Sequence, residues 1–224
     1  MSHHQELPAH LRKYVVDQFY QRYTPVDQAV WRYIVRQLVS FLSANAHPIY
    51  REGLRRTGIE VDQIPHIENI SKKLEEFGWK AVPVSGFIPP TAFMEFQALG
   101  YLPIASDMRT IEHAMYTPAP DIVHEAAGHA PIIADPEYAT YLKKYADVAS
   151  RSIISHEDLA LYVAIRDLSD IKESRSSTPA DIAEAEAKLD AAVAQISFAS
   201  EAAQLARLYW WTAEYGLVGN FENP

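Results

Sequence analysis

The chain has no cysteine among its 224 residues, which excludes disulfide bonds and thiolate metal ligands. It has no run of lysine and arginine and carries a formal net charge of −9, so nucleic acid and anionic membrane surfaces are not expected partners. No stretch approaches the roughly 20 apolar residues that span a bilayer. The N-terminus also lacks the apolar run of a signal peptide. Together these absences predict a soluble, cytoplasmic protein.

The residues that are present predict a single, mostly α-helical domain with a few short β-strands. Apolar residues make up 48% of the sequence, enough for a substantial core at this length. Residues 1–23 form a polar N-terminal segment without a clear period. Thr24 and Pro25 then mark a helix start, and Lys80–Ser85 alternates as a short strand does. A helix is expected from Pro89, with Gly100 as its stop.

The region between residues 156 and 196 predicts a pair of helices. His156–Ile171 has the apolar spacing of one helix. Thr178 followed by Pro179 marks the start of another, which runs through an alanine-rich segment. A polar turn at Ser174–Thr178 separates the two.

Two histidines, His124 and His129, stand five residues apart in T-P-A-P-D-I-V-H-E-A-A-G-H. In a regular α-helix, residues five apart point about 140° away from each other, so both rings cannot face one cation. Gly128 and Pro131 favour a helix that ends at His129, which would re-aim the second ring. The spacing also differs from the H-E-x-x-H pattern of zinc peptidases.

A third candidate ligand, Glu214, lies in L-A-R-L-Y-W-W-T-A-E-Y-G-L. Its apolar neighbours indicate that the segment is buried, and a buried carboxylate needs a partner. Two imidazoles and one carboxylate can bind one face of ferrous iron and leave its other positions open. Asp121, one turn before His124, is placed to contact the ring nitrogen that does not face the metal. The plain alternatives are structural or exposed histidines and a solvated glutamate.

Four segments, in this order, resemble the catalytic domain of the pterin-dependent aromatic amino acid hydroxylases. They are Y-T-P-V-D-Q-A-V-W, I-P-H-I-E-N-I-S-K-K-L-E-E-F-G-W-K-A-V-P-V-S-G-F, M-Y-T-P-A-P-D-I-V-H-E-A-A-G-H and L-A-R-L-Y-W-W-T-A-E-Y-G-L, and they run from about Tyr23 to Leu217. The resemblance implies that family's fold. It also implies Fe(II) and a tetrahydropterin as cofactors, with O2 and an aromatic amino acid as substrates.

The resemblance assigns roles to individual residues. The iron ligands would be His124, His129 and Glu214. The pterin site would comprise Gly86, Phe87 and Ile88, whose backbone binds the ring, Phe93, which stacks on it, and Glu125, the acid beside pterin and metal. The substrate site would comprise Arg109, which takes the amino acid carboxylate, with Thr117, Pro120 and Trp210. Tyr209 would lie close to the iron. Core packing is the alternative for Phe93, and a surface ion pair is the alternative for Arg109.

Two departures from the family pattern shape these expectations. The sequence is longer between His129 and Glu214 by about a helical pair, so 156–196 is expected to be an insertion, either a solvated decoration or an interface for self-association. The family's domain continues past the glutamate ligand, whereas this chain ends at Pro224. A catalytic domain truncated at its C-terminus is therefore expected.

The favoured function is a phenylalanine 4-hydroxylase-like mono-oxygenase that converts L-phenylalanine to L-tyrosine. One alternative is a zinc hydrolase in which Glu125 activates a metal-bound water. The other is a non-catalytic homologue that acts as a binding protein.

Overall fold

A computed structural model describes residues 6–117, 119–174 and 176–216 of the protein. Pro118, within the segment that carries His124 and His129, and Leu217, where the resemblance ends, lie outside the described residues. The chain divides into two compact units, Met1–Asp147 and Val148–Pro224. The predicted single domain with an insertion stays a prediction, although the division falls shortly before the expected helical pair.

The first unit is mostly helical, with two short strands, as predicted. Its elements in sequence order are α1 (Ala9–Arg12), α2 (Pro25–Asn45), α3 (Pro48–Thr57), α4 (Ile67–Leu74), β1 (Lys80–Val84), α5 (Pro90–Ala98), β2 (Tyr101–Ala105), a π-helix (Val123–His129), a 3-10 segment (Ala130–Ala134) and α6 (Pro136–Ala149), whose last two residues belong to the second unit. We call Val123–His129 the histidine π-helix. Three further 3-10 turns are Tyr20–Arg22, Glu75–Phe77 and Ile111–His113.

The ends of the helices follow the sequence signals. At the start of α2, the Thr24 hydroxyl accepts from the Asp27 backbone N–H, and the Asp27 carboxylate accepts from the Thr24 N–H at 2.7 Å. This reciprocal pair satisfies two donors that the helix itself leaves open. After α5, Gly100 adopts φ 79°, a left-handed conformation that glycine takes without steric cost.

β1 and β2 form a two-stranded parallel sheet, with Lys80 opposite Tyr101 and Val84 opposite Ala105. Because α5 connects two parallel strands, both carboxyl ends lie at the same edge of the sheet. The loop after β1 and the segment after β2 therefore start side by side. These two stretches carry several of the candidate site residues.

The N-terminal segment contributes to the hydrophobic core. Its sequence has no clear hydrophobic period, so this contribution was not predicted. Leu7 and Leu11 are 2% and 0% exposed and pack with Val84 and Ile88 of the sheet and the loop that follows it. Val15 also forms an antiparallel bridge with Val84. Leu11 belongs to α1 (Ala9–Arg12) and Leu7 precedes it, so this segment is too short to show a helical period in the sequence.

The second unit contains α7 (His156–Glu173), α8 (Pro179–Ala194), α9 (Glu201–Tyr209) and a second π-helix (Trp210–Glu214). α7 and α8 lie against each other, as the helical pair predicted from the sequence would. Capping boxes begin both, with Asp158 and Asp181 as the acids. The helices described in the two units include none with the length and hydropathy of a membrane span.

Candidate metal and cofactor site

The two candidate histidines lie on a π-helix. The backbone N–H of Ala130 donates to the C=O of Glu125, five residues earlier. Because π-helical hydrogen bonds join residues five apart, His124 and His129 lie on the same face. The helix ends at His129, as expected, but the end of the helix is not what aligns the second ring with the first. The wider turn aligns the rings, and the backbone leads directly into the 3-10 segment Ala130–Ala134.

The two imidazoles have the geometry of neighbouring ligands. Their Nε2 atoms are 3.0 Å apart, the ring centroids are 4.7 Å apart, and the ring planes meet at 56°. Two ring nitrogens that bind one metal at right angles, each at about 2.1 Å, stand about 3 Å from each other. The observed separation therefore fits a shared cation, and the half-buried rings leave room for further ligands.

Helix α3 contacts the histidine π-helix through a hydrogen bond. The Tyr50 hydroxyl donates to the C=O of Ala127 at 2.6 Å. In an α-helix that carbonyl would accept from residue 131, which is proline and has no N–H. Burial raises the pKa of Tyr50 to about 12, so the hydroxyl stays protonated as a donor. Gly53 brings the two segments together, since a Cβ there would lie 1.9 Å from the Pro131 oxygen.

Asp121 has a different partner from the one predicted. Its carboxylate accepts from Arg109 Nε at 2.7 Å and from Arg109 Nη2 at 2.8 Å. It also accepts from the backbone N–H of His124 at 3.0 Å, which caps the histidine helix. Asp121 therefore contacts the backbone of His124 rather than its ring. Both carboxylate oxygens already accept hydrogen bonds from the Arg109 guanidinium. Both members of the ion pair are nearly buried, with side-chain exposures of 10% and 4%.

Arg109 is thus oriented by a bidentate partner rather than lying in a surface ion pair. A fork-to-fork contact fixes the guanidinium plane, which a single contact does not. The two bonds to Asp121 use Nε and Nη2. Within the described residues, Nη1 has no protein partner, so this end of the guanidinium is able to bind a ligand carboxylate.

The expected pterin loop follows β1 directly. Gly86 adopts φ 53°, and its N–H donates to Asp107 Oδ2 at 3.1 Å. Phe87 is half-buried, and the Ile88 side chain is buried in the core cluster. Phe93, on α5, packs at the edge of the same cluster while remaining partly exposed. Sequence reasoning missed Asp107, which its position just after the second parallel strand could have indicated.

Other predicted site residues of the first unit lie on or just before the histidine π-helix. Glu125 is 5% exposed, and its backbone N–H donates to the C=O of Asp121 at 3.1 Å. Thr117 and Pro120 are half-buried, and the Thr117 hydroxyl donates to the C=O of Ala119 at 2.8 Å. The first unit therefore brings the histidine pair, the Arg109–Asp121 pair and the loop at Gly86 to one end of the sheet.

The remaining candidates lie in the second unit. Tyr209 is the last residue of α9 and is buried, while Glu214 ends the second π-helix and is half-buried. Trp210 is 52% exposed and stacks on Tyr215, five residues on, with ring centroids 5.6 Å apart. The expectation of a buried segment was wrong for both tryptophans, since Trp211 is 77% exposed. Apolar composition alone does not determine which faces are covered by other elements.

Comparison with known proteins identifies a family. The model of the biopterin-dependent aromatic amino acid hydroxylases matches residues 13–158, about two thirds of the chain. The matched range includes both histidines and ends in the first turn of α7, so Glu214 lies beyond it.

Similar proteins include phenylalanine hydroxylases. A phenylalanine-4-hydroxylase of Mesorhizobium japonicum is 27% identical over 203 residues, which are 90% of this chain and 58% of that protein. A phenylalanine hydroxylase from Chromobacterium violaceum, with bound iron(III) and 7,8-dihydrobiopterin, is similar with a TM-score of 0.60 and 27% identity, covering 68% of this chain and 56% of that one. Its iron- and phenylalanine-bound crystal structure gives a TM-score of 0.60 at 25% identity, with 89% and 56% covered. The chain spans little more than half the length of these relatives.

Proposed function

Because the chain belongs to the biopterin-dependent aromatic amino acid hydroxylases, we propose that it forms the metal- and pterin-binding core of a phenylalanine 4-hydroxylase-like mono-oxygenase. The reaction would convert L-phenylalanine to L-tyrosine with O2. The observation that carries this proposal is the pair of Nε2 atoms 3.0 Å apart on the histidine π-helix. The relatives named above support phenylalanine as the substrate, since their names state that activity. Membership of this family disfavours the zinc hydrolase alternative.

Ferrous iron would be held by His124, His129 and Glu214. The donor set of two imidazoles and a carboxylate is the one that non-haem iron oxygenases use, and it leaves positions open for other ligands. Two hydrogen bonds hold the helix that carries both histidines, one from the Tyr50 hydroxyl to the Ala127 carbonyl and one from the His124 N–H to the Asp121 carboxylate. When bound, the iron and the reduced pterin would together supply the activation of O2 that ring hydroxylation requires.

The protein's own residues would orient the amino acid. Arg109 would bind the substrate carboxylate through Nη1, while Asp121 holds the guanidinium in place. Thr117, Pro120 and Trp210 would line the ring pocket, and Tyr209 would lie near the metal. Such an arrangement would lower the entropic cost of placing the ring against the open metal positions.

The pterin would lie on the loop after β1. Backbone groups of Phe87 and Ile88 would bind the polar edge of the ring, and Phe93 would offer an aromatic face. At Gly86 the N–H is already held by Asp107, so this residue would contribute its carbonyl rather than its amide. Glu125, buried on the histidine π-helix, would lie on the side of the pterin that faces the metal.

The helical pair α7–α8 would be a surface for self-association, because apolar side chains on it stay open to solvent. Leu159 and Val163, one turn apart on α7, are 49% and 36% exposed, and Val193 on α8 is 52% exposed. Replacing Leu159 and Val163 by serine should shift the protein to a smaller species in gel filtration. An unchanged elution volume would leave the pair as a solvated decoration.

The function is tested by turnover of the protein after loading with ferrous iron. Phenylalanine, reduced pterin and O2 are supplied, and tyrosine is quantified together with the pterin oxidised. Tyrosine should form with the parent and not with a His124→Ala variant, whereas His156→Ala, an exposed histidine at the start of α7, should retain activity. Absence of both tyrosine formation and pterin-dependent oxygen uptake would refute the proposal.

A further inference from the structure

Asp107 connects the two halves of the candidate site in the first unit. Its carboxylate accepts from the N–H of Gly86, the first residue of the expected pterin loop, at 3.1 Å. Its backbone carbonyl accepts from the N–H of Ile122, directly before the histidine π-helix, at 2.9 Å. One residue therefore contacts the loop through its side chain and the metal-binding helix through its backbone.

The segment that carries Asp107 is itself held at several points. Ser106 donates to the C=O of Val84 from its N–H at 2.9 Å and from its hydroxyl at 3.3 Å. The Tyr23 hydroxyl donates to the C=O of Ser106. Arg109, two residues further, is fixed by Asp121. These contacts hold the Asp107 backbone in place, so that its side chain can position the loop after β1.

The loop after β1 needs such a support where it begins. Gly86 is in the left-handed region at φ 53°, where its backbone has wide freedom in the absence of a partner. At the other end of the loop, Pro89 and Pro90 have restricted backbones and lead into α5. A ligand that is bound by backbone groups gains affinity when these groups are already in place.

We propose that Asp107 is a positioning residue, which holds the pterin loop in its binding conformation and at a fixed place relative to the histidine π-helix. This inference rests on the proposed pterin function. The carboxylate acts on the cofactor through Gly86 rather than by touching it. Asparagine keeps an oxygen that can accept from the same N–H, whereas alanine does not.

The test uses the whole 224-residue protein and 7,8-dihydrobiopterin as the probe. Asp107→Ala should weaken dihydrobiopterin binding in calorimetry about fivefold to tenfold, since a charge-assisted hydrogen bond that orders the loop is lost. Asp107→Asn should stay within about twofold of the parent, and ferrous iron affinity should be unchanged in both variants. Asp17→Ala, at an exposed aspartate of the same unit, is the matched control.

Hydrogen exchange of the Gly86 amide in the ligand-free protein provides the second readout. Exchange should be faster in Asp107→Ala than in the parent, in Asp107→Asn and in Asp17→Ala. Unchanged Gly86 exchange, unchanged pterin affinity, or equal losses of iron and pterin affinity would overturn the inference. A parent protein that binds no dihydrobiopterin would refute the proposed function instead, and the Gly86 exchange rates would still show whether Asp107 holds the loop.

Discussion

Tyr50→Phe removes the hydroxyl that contacts the histidine π-helix and should destabilise the first unit. Tyr50 is 7% exposed, and its hydroxyl donates to the Ala127 carbonyl at 2.6 Å. Phenylalanine keeps the ring and its packing, so the substitution removes only the hydrogen bond's contribution to the free energy of unfolding. Because Pro131 cannot donate to that carbonyl in its place, the acceptor is left unsatisfied in a buried position.

The size of this effect follows from the cost of an unsatisfied buried acceptor. Such a group costs about 1–3 kcal/mol, so we expect the free energy of unfolding to fall by about 2 kcal/mol. For a protein of this size, the midpoint of thermal unfolding should then fall by about 4–8 °C. The iron affinity should fall as well, because Ala127 lies between His124 and His129 and its release loosens their alignment.

Urea and thermal unfolding measure the first effect, and iron titration measures the second. Tyr33→Phe is the matched control, since Tyr33 lies on α2 and is 52% exposed. Its stability should stay within about 0.5 kcal/mol of the parent, as for most surface changes. Equal stability of the two variants would show that the Tyr50 hydroxyl does not anchor the histidine π-helix.

Three further predictions follow from the same unit. Gly53→Ala should destabilise the protein by about 2 kcal/mol or more in urea unfolding, because its Cβ would lie 1.9 Å from the Pro131 oxygen; unchanged stability would contradict this close packing. Arg109→Lys should raise the KM for phenylalanine about tenfold or more and leave iron affinity unchanged, because an ammonium group cannot reproduce the planar fork; a KM equal to the parent's would exclude Arg109 from substrate binding. Since burial raises the Tyr50 pKa from 10.0 to about 12, its stabilising contribution is complete below pH 10 and is lost as the pH rises towards 12. Unfolding midpoints of the parent should therefore fall more steeply over this range than those of Tyr50→Phe.

Local signals in the sequence predicted the boundaries of helices well. Thr24 with Asp27 caps α2, and Gly100 follows α5 in a left-handed conformation, as the residue types implied. These features depend on neighbours within a few residues, so the sequence itself contains the relevant contacts. The same holds for Thr178 and Asp181 at the start of α8.

Features that depend on tertiary contacts could not be predicted in the same way. The carbonyl of Ala127, in the π-helix, accepts a hydrogen bond from the Tyr50 hydroxyl, and these two residues are 77 positions apart in the sequence. The sequence places Asp121 one turn before His124. Its ion pair with Arg109 could not be predicted, because it depends on the position of the segment after β2 in the fold. The burial of Leu7 was not predicted for the same reason, since the residues it packs against lie on the sheet and on α5.

If His124 and His129 bind one ferrous ion through their Nε2 atoms, the iron content of the protein depends on both side chains. After anaerobic reconstitution with ferrous iron and removal of excess metal, the parent and His156→Ala should each retain close to one iron per molecule. His124→Ala and His129→Ala should each retain almost none while keeping the far-ultraviolet circular dichroism of the parent. Equal iron contents of the parent and of folded His124→Ala and His129→Ala variants would show that the two histidines do not bind the metal.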